Sequence, residues 1–384
     1  MKYFLIAGEA SGDLHASDLI RSILKVDPEA EFRFMGGDQM KSVAPGLILH
    51  YRETSYMMLD VVFHLRKILR NMRLVRREIA SWKPHVVIPV DYPGFNMRIS
   101  RFAYRQGFRV FYYISPKVWA WKRRRVYKLR KHASRLFTIL PFEKAFFREY
   151  GIEAEYFGNP LVDRVQAFRK QFEGETAWKK RVGLDERPVI ALLAGSRRRE
   201  IQGLLPDMVA TAALHPEYQF VIAGAPSIPV ELYEPFLKEG SVKFVSGETY
   251  ALLEIARAGM VCSGTATLEA ALLGVPQVVM YRTGKVAYSI AKRLIKINFI
   301  SLVNLIAGRG IVREVIQKNM FQDASGELAL ILEDSRYRDA MLKGYAEVGK
   351  TLGGGGISGR IAARMVNLLL LDNTPQITVG NVDS

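Results

Sequence analysis

The chain has 384 residues, 49% of them hydrophobic, with 55 basic and 38 acidic side chains and a formal charge of +17. At roughly 150 residues per domain this length gives two or three domains with large cores, and the charge favours an anionic partner: a membrane surface, nucleic acid or a phosphorylated substrate. One cysteine, Cys262, excludes an internal disulfide and a Cys-based zinc site and reads as a small buried hydrophobe ending a strand.

From the N-terminus, the apolar run Tyr3–Ala7 is a strand. It is too short for a signal peptide, and Glu9 and Asp13 follow at once. A helix over Asp13–Val26, capped by Asp13, leads to a strand over Glu31–Phe34. The stretch Tyr56 to Trp82 is different in kind, with a helix over Val62–Trp82. Met58, Val61, Val62, Leu65 and Leu69 are interleaved there with Arg66, Lys67, Arg70 and Arg73, as in a basic amphipathic helix on an anionic membrane surface. The plain alternative is a core helix with a solvated basic face. Then come strands at His85–Val90, Arg109–Ile114 and Leu136–Leu140, with helices at Phe95–Gln106 and Trp119–His132. The basic run Lys122 to Lys131 follows Trp119 and Trp121, again suiting a membrane interface. No run approaches about 18 uncharged apolar residues, so nothing is expected to span a membrane. The expected place is the reducing cytosol, alone or against a membrane face.

The second half repeats the rhythm. Strands at Val189–Leu193, Phe220–Ala223, Val242–Val245, Met260–Cys262 and Gln277–Met280 alternate with helices at Glu200–Leu214, Tyr250–Ala258 and Thr265–Leu273. Alternation of this kind predicts parallel sheets covered on both faces, here two doubly wound Rossmann-like domains facing across a cleft. The expected divisions are residues 1–165, 166–352 and 353–384, with the join between Pro160 and Pro188. Gly353 to Gly356 form a joint before a last helix, Ile357–Leu371, expected to pack on the N-terminal domain or a partner subunit, and the tail beyond it reads as disordered.

Ligands of open α/β sheets bind beyond the carboxyl ends of strands, and the unusual residues collect there. Asp91, after one strand in a turn set by Pro93 and Gly94, is the best general-base candidate. Glu9, Ser11, Asp13 and Ser115 follow other strands and are expected near the acceptor. Gly195-Ser196-Arg197 opens the second half: glycine allows close backbone approach, and arginine offers a forked donor to phosphate oxygens. Ser263-Gly264-Thr265 leads into a helix whose N-terminus suits a second phosphate, with Glu269 in reach of vicinal ribose hydroxyls. There is no P-loop, no Gly-x-Gly-x-x-Gly directly after a strand, no Asp-x-Asp and no His cluster. No metal and no cofactor is therefore expected, and cationic groups and helix ends would neutralise a diphosphate.

These pieces, in order, resemble the lipid-A-disaccharide synthases, family 19 of the inverting glycosyltransferases. The resemblance is carried by Ala7 to Asp13, the Asp91 turn with Phe95-Asn96, Tyr113 to Trp121, Leu140 to Lys144, Leu193 to Arg197, Ser263 to Glu269 and Asn304 to Arg309. It implies a GT-B fold and a hexosyltransferase that moves 2,3-diacylglucosamine from UDP-2,3-diacylglucosamine to the 6-hydroxyl of 2,3-diacylglucosamine 1-phosphate. It further implies Asp91 as base, Ser196 and Arg197 on the diphosphate, Glu269 on the ribose, and Asn304 and Arg309 in a nucleotide-binding loop. A peripheral place on the cytoplasmic face of the inner membrane of a Gram-negative bacterium goes with it, with no nucleic acid as partner and a homodimer left open. Two positions depart from the family pattern: Gly158-Asn159-Pro160 replaces Gly-His-Pro or Gly-His-Thr, and Tyr56 to Asp60 lacks the usual Met-Gly and Glu. The rival readings are a UDP-N-acetylglucosamine 2-epimerase and a basic, non-catalytic binding protein.

Overall fold

The computed structural model describes residues 1–53, 65–120, 123–226, 228–237, 242–284 and 298–371. Contacts divide the chain into two compact units. One is Met1–Pro160 together with the chain from Gly356 onward, and the other is Leu161–Gly355.

The first unit holds a seven-stranded parallel sheet. Its strands are β1 (Lys2–Ala7), β2 (Glu31–Gly36), β3 (Leu47–His50), β4 (Val86–Val90), β5 (Arg109–Tyr113), β6 (Arg135–Thr138) and β7 (Ala154–Tyr156), in the order β3-β2-β1-β4-β5-β6-β7. The second unit holds β8 (Val189–Leu193), β9 (Gln219–Gly224), β10 (Val242–Ser246), β11 (Ala256–Cys262), β12 (Gln277–Tyr281) and β13 (Glu314–Ile316), in the order β10-β9-β8-β11-β12-β13. Both orders run outward from the first strand in one direction and then jump back past it. The jump leaves a crevice between β1 and β4, and another between β8 and β11, where helices diverge to opposite faces.

The central strands are continuous apolar runs because both faces are covered. Every residue of β4 and of β8 is buried. Phe4, Ile6, Val87 and Val110 meet Met72, Val75, Ile79 and Ile99 from the covering helices in the first core. Trp178, Val189, Leu193, Val221, Leu252 and Ala270 form the second. At roughly 1.5–3 kcal/mol for each large apolar side chain removed from water, these contacts dominate stability.

Local propensity misleads in several places. The helix expected over Tyr250–Ala258 ends at Ile255, and Ala256 to Ala258 enter β11, where ladder pairing with β8 overrides the helix preference of alanine and arginine. The helix expected from Trp119 runs only over Val126–His132, after a single turn at Arg123–Arg125, because Trp119 is held elsewhere by a side-chain bond. Asp13 does not cap its own helix. That helix spans Ala10–Val26, and Asp13 lies inside it, 2% exposed, accepting backbone N–H groups of Gly37, Gln39 and Met40 from the loop after β2.

The amphipathic helix spans Leu65–Trp82. Met72, Val75 and Ile79 are buried in the first core, so this part is a core helix, while Leu69 is 42% exposed and Arg66, Arg70 and Arg73 face solvent. Lys67 is half-buried. Met58, Val61, Val62 and the side chain of Leu65 lie outside the described residues. Among the described residues no helix is long and apolar enough to cross a membrane.

The last helix, Ile357–Leu371, packs along the Ala10–Val26 helix of the first unit. It is fastened by Arg364 to Glu155 at 2.7 Å and by Arg360 to the Phe157 carbonyl at 2.9 Å.

Candidate functional site

At the first crevice the backbone is forced out of its usual regions. Asp91 and Tyr92 both have left-handed φ, 43° and 45°, and Ile114, at the end of β5, has φ 58°. A β-branched residue there is a true outlier, and neighbours must hold it. The Asp91 N–H donates to the Tyr113 and Ile114 carbonyls, and the Asp91 carbonyl accepts from the Tyr112 hydroxyl at 2.7 Å and the Asn96 amide at 2.9 Å. Asn96, fully buried, also donates to the Ile6 and Val90 carbonyls, tying β1 to β4 at the crevice. Tyr92 lies over Gly8, where any Cβ would overlap its ring. The Asp91 carboxylate itself accepts the Tyr92 N–H. Burial pushes its carboxyl up to about 6, opposed by Lys117 and the Tyr92 N–H and reinforced by Glu9.

Glu9 and Ser11 are exposed at the start of the Ala10–Val26 helix, on the β1 side of this crevice. Ser115 is buried and donates to Glu143 at 2.6 Å. Trp119 Nε1 donates to the same oxygen at 3.0 Å, and the Leu140 N–H donates to the other at 3.1 Å. Burial pushes the Glu143 carboxyl up to about 7 against these three donors. Ser115 is thereby a positioning residue: through Glu143 it fastens the loop that carries Lys117 to Asp91. The motif around Glu143 was visible in the sequence, but no spacing rule assigned it this role.

At the second crevice, Gly195 has φ 105°, and a Cβ there would collide with Glu200. Glu200 accepts the Ser196 N–H at 3.1 Å and pairs with Arg197 at 3.2 Å, so the loop after β8 is shaped by its own carboxylate and presents an exposed guanidinium. The helix Thr265–Leu272 starts at Gly264 with no side-chain cap, leaving its first N–H groups to water or a ligand. Ser263 is turned away: its hydroxyl donates to the Ile300 carbonyl at 2.9 Å. Glu269 accepts from the Tyr250 hydroxyl at 2.9 Å, and its carboxyl is raised by burial against Tyr250 and Arg164.

Asn304 is built into its own loop. It is 1% exposed and its amide is fully used: Oδ1 accepts the Ile311 and Val312 N–H groups, and Nδ2 donates to the Val312 carbonyl and Glu314. Its side chain shapes the loop from Ile311 to Glu314. Arg309 is exposed and paired with Glu347 at 2.6 Å. Asn159, in the departing Gly-Asn-Pro, is buried and donates to the Ile139 carbonyl at 3.2 Å, a packing role an amide fills. Among the described residues no three His, Cys, Asp or Glu side chains are grouped to hold a metal.

Residues 3–347 match the family model described as lipid-A-disaccharide synthetase. The chain belongs to this family. Lipid-A-disaccharide synthases of Geobacter sulfurreducens and Myxococcus xanthus are 34% and 36% identical to it over 377 residues, 96% of this chain and 97% of each relative. Like the synthases of the family, it is an enzyme, a glycosyltransferase of lipid A biosynthesis. Solved structures with the same architecture include a UDP-GlcNAc 2-epimerase from Neisseria meningitidis bound to UDP-GlcNAc, with TM-score 0.67, 15% identity and coverage of 97% of this chain and 100% of that one. A glycosyltransferase from Streptomyces nogalater has TM-score 0.57 and 19% identity, covering 96% and 99%. At such identities the likeness concerns the fold, which is GT-B.

Proposed function

We propose that this chain transfers 2,3-diacylglucosamine from UDP-2,3-diacylglucosamine to the 6-hydroxyl of 2,3-diacylglucosamine 1-phosphate, inverting the anomeric carbon. The observation that carries the reading is Asp91: a carboxyl with a pKa near 6, at the crevice between β1 and β4, on a backbone held left-handed by its neighbours. In this reading the carboxylate takes the proton of the acceptor hydroxyl as its oxygen attacks the sugar's C1. The C1–O bond to UDP breaks, and the leaving diphosphate is met by Arg197 and the N–H groups at Thr265. Glu269 holds the ribose hydroxyls of the nucleotide. On this reading no divalent metal is required, and activity should survive EDTA; strict dependence on added Mg²⁺ would contradict it.

Both substrates carry acyl chains, so the enzyme works at the cytoplasmic surface of the inner membrane. Leu69 contributes apolar contact, and Arg66, Lys67, Arg70 and Arg73 meet anionic headgroups at about 1 kcal/mol each. The test is incubation of the protein with both lipids in mixed micelles, followed by mass spectrometry. A β-1,6-linked disaccharide 1-phosphate and UDP are expected. Conversion of UDP-GlcNAc alone to its 2-epimer, with no disaccharide from the lipids, would replace this reading by an epimerase.

A further inference from the structure

Two helices of the first unit leave a groove of about 340 Å³ that the chemistry above does not use. One wall is the Pro93–Arg105 helix, which contributes Gly94, Arg98 and Arg101 at the spacing of one helical face. The other is the turn and helix from Arg123 to His132, which contributes Arg125, Lys128 and His132. The lining thus holds four permanent cations and no carboxylate. Like charges gathered in this way repel one another unless an anion joins them. His132 registers that field: its pKa is held down first by burial and then by Lys131, Arg101 and Arg105. Arginine forks match phosphate oxygens bidentately, and one end of the groove is formed by Pro93 and Gly94, directly after the Asp91 turn.

We propose that this groove binds the phosphate monoester of the acceptor sugar. The identity of that sugar rests on the function proposed above. In a hexosamine 1-phosphate, C1 with its phosphate and C5 with its hydroxymethyl group flank the ring oxygen, so the phosphate lies within one sugar's breadth of the 6-hydroxyl, and an anion subsite that begins directly after the Asp91 turn suits a hydroxyl delivered to Asp91. The groove has a single apolar liner beyond Pro93, Met97, so it takes the charged head and not the acyl chains.

The test is binding of diacylglucosamine 1-phosphate and of its dephosphorylated analogue, in neutral detergent micelles, to the wild-type protein and to Arg98→Gln/Arg101→Gln. The wild type should prefer the phosphorylated lipid by roughly tenfold or more, as expected for lost charge-assisted bonds. The double variant should lose most of that preference while keeping its UDP affinity and melting temperature. A preference retained in the variant, or an equal loss for both lipids, overturns the proposal. So does phosphatidylglycerol at equal mole fraction competing as well as the sugar phosphate, which would make the groove a headgroup contact. If the double variant does not fold, Arg125→Gln/Lys128→Gln on the opposite wall gives the same test. Phosphate preference without transfer sinks the proposed reaction and leaves the groove standing; transfer without phosphate preference sinks the groove alone.

Discussion

A base at Asp91 must be ionised to accept a proton, and its carboxyl is pushed up to about 6, so kcat/KM should climb as pH rises through that value and level off above it. The neighbours fix the direction of further change. Lys117 lowers the Asp91 pKa and Glu9 raises it, so Lys117→Met should move the acid limb to higher pH and Glu9→Gln to lower pH, as read from pH–rate profiles. Asp91→Asn should abolish the limb and lower turnover by about 10² or more with UDP binding kept; near-normal turnover would remove Asp91 from the role. In the second unit, Arg197→Ala and Glu269→Ala should each weaken UDP binding by roughly 1.5–3 kcal/mol in calorimetry, and unchanged affinity in both would place the nucleotide elsewhere. Asp91 and Arg197 stand out in the sequence because they sit in turns after apolar strands, and Glu269 because it lies in the helix that follows one; these variants decide their roles. The hydrogen bonds of Asn304 were not legible, because a buried amide satisfying a loop backbone looks, in sequence, the same as one meeting a ligand.

Among the elements, the long central strands announce themselves as apolar runs. β3, β7 and β13 do not: they are edge or near-edge strands of three or four residues, too short to show a period and, in Glu155 and Glu314, carrying charge. The loop from Ser115 to Trp119 depends on the Pro141–Arg148 helix through one carboxylate, Glu143. Glu143→Ala strands three donors and should cost about 3 kcal/mol in urea unfolding, while UDP affinity, which the proposed function assigns to the other unit, should stay the same. The Glu143 carboxyl also sets a pH trend. Its folded pKa, about 7, lies above the ordinary 4.5, so the folded state keeps a proton that the unfolded chain releases in that window. Its contribution therefore falls as pH rises from about 4.5 to about 7, and the Ala variant should lose that slope.

For the molecule as a whole, the first unit is assembled from both ends of the chain, and the second is an unbroken insertion. The final helix was predictable from its period and the glycines before it, with the N-terminal domain or a partner subunit as its expected place, but the individual helix it packs on was not, since the pairing spans nearly the full sequence. Ile361 and Met365 of this helix are both fully buried. Ile361→Asp/Met365→Asp buries two carboxylates without partners, which burial penalises by several kcal/mol. Hydrogen exchange should then show protection lost across Met1–Pro160 and retained across Leu161–Gly355; uniform loss would mean that the two units stand or fall together.

The same return of the chain sets a timetable for synthesis. The strands of the first sheet leave the ribosome early, yet the helix that covers the Ala10–Val26 helix is made only after all of Leu161–Gly355. The inserted unit has every element it needs as soon as it emerges, so it completes its fold first, and the apolar flank of the Ala10–Val26 helix stays uncovered for that interval. Domains usually mature in the order they are made; here the order is reversed, and the growing chain is most exposed to aggregation and to chaperones just before its last fifteen helical residues appear.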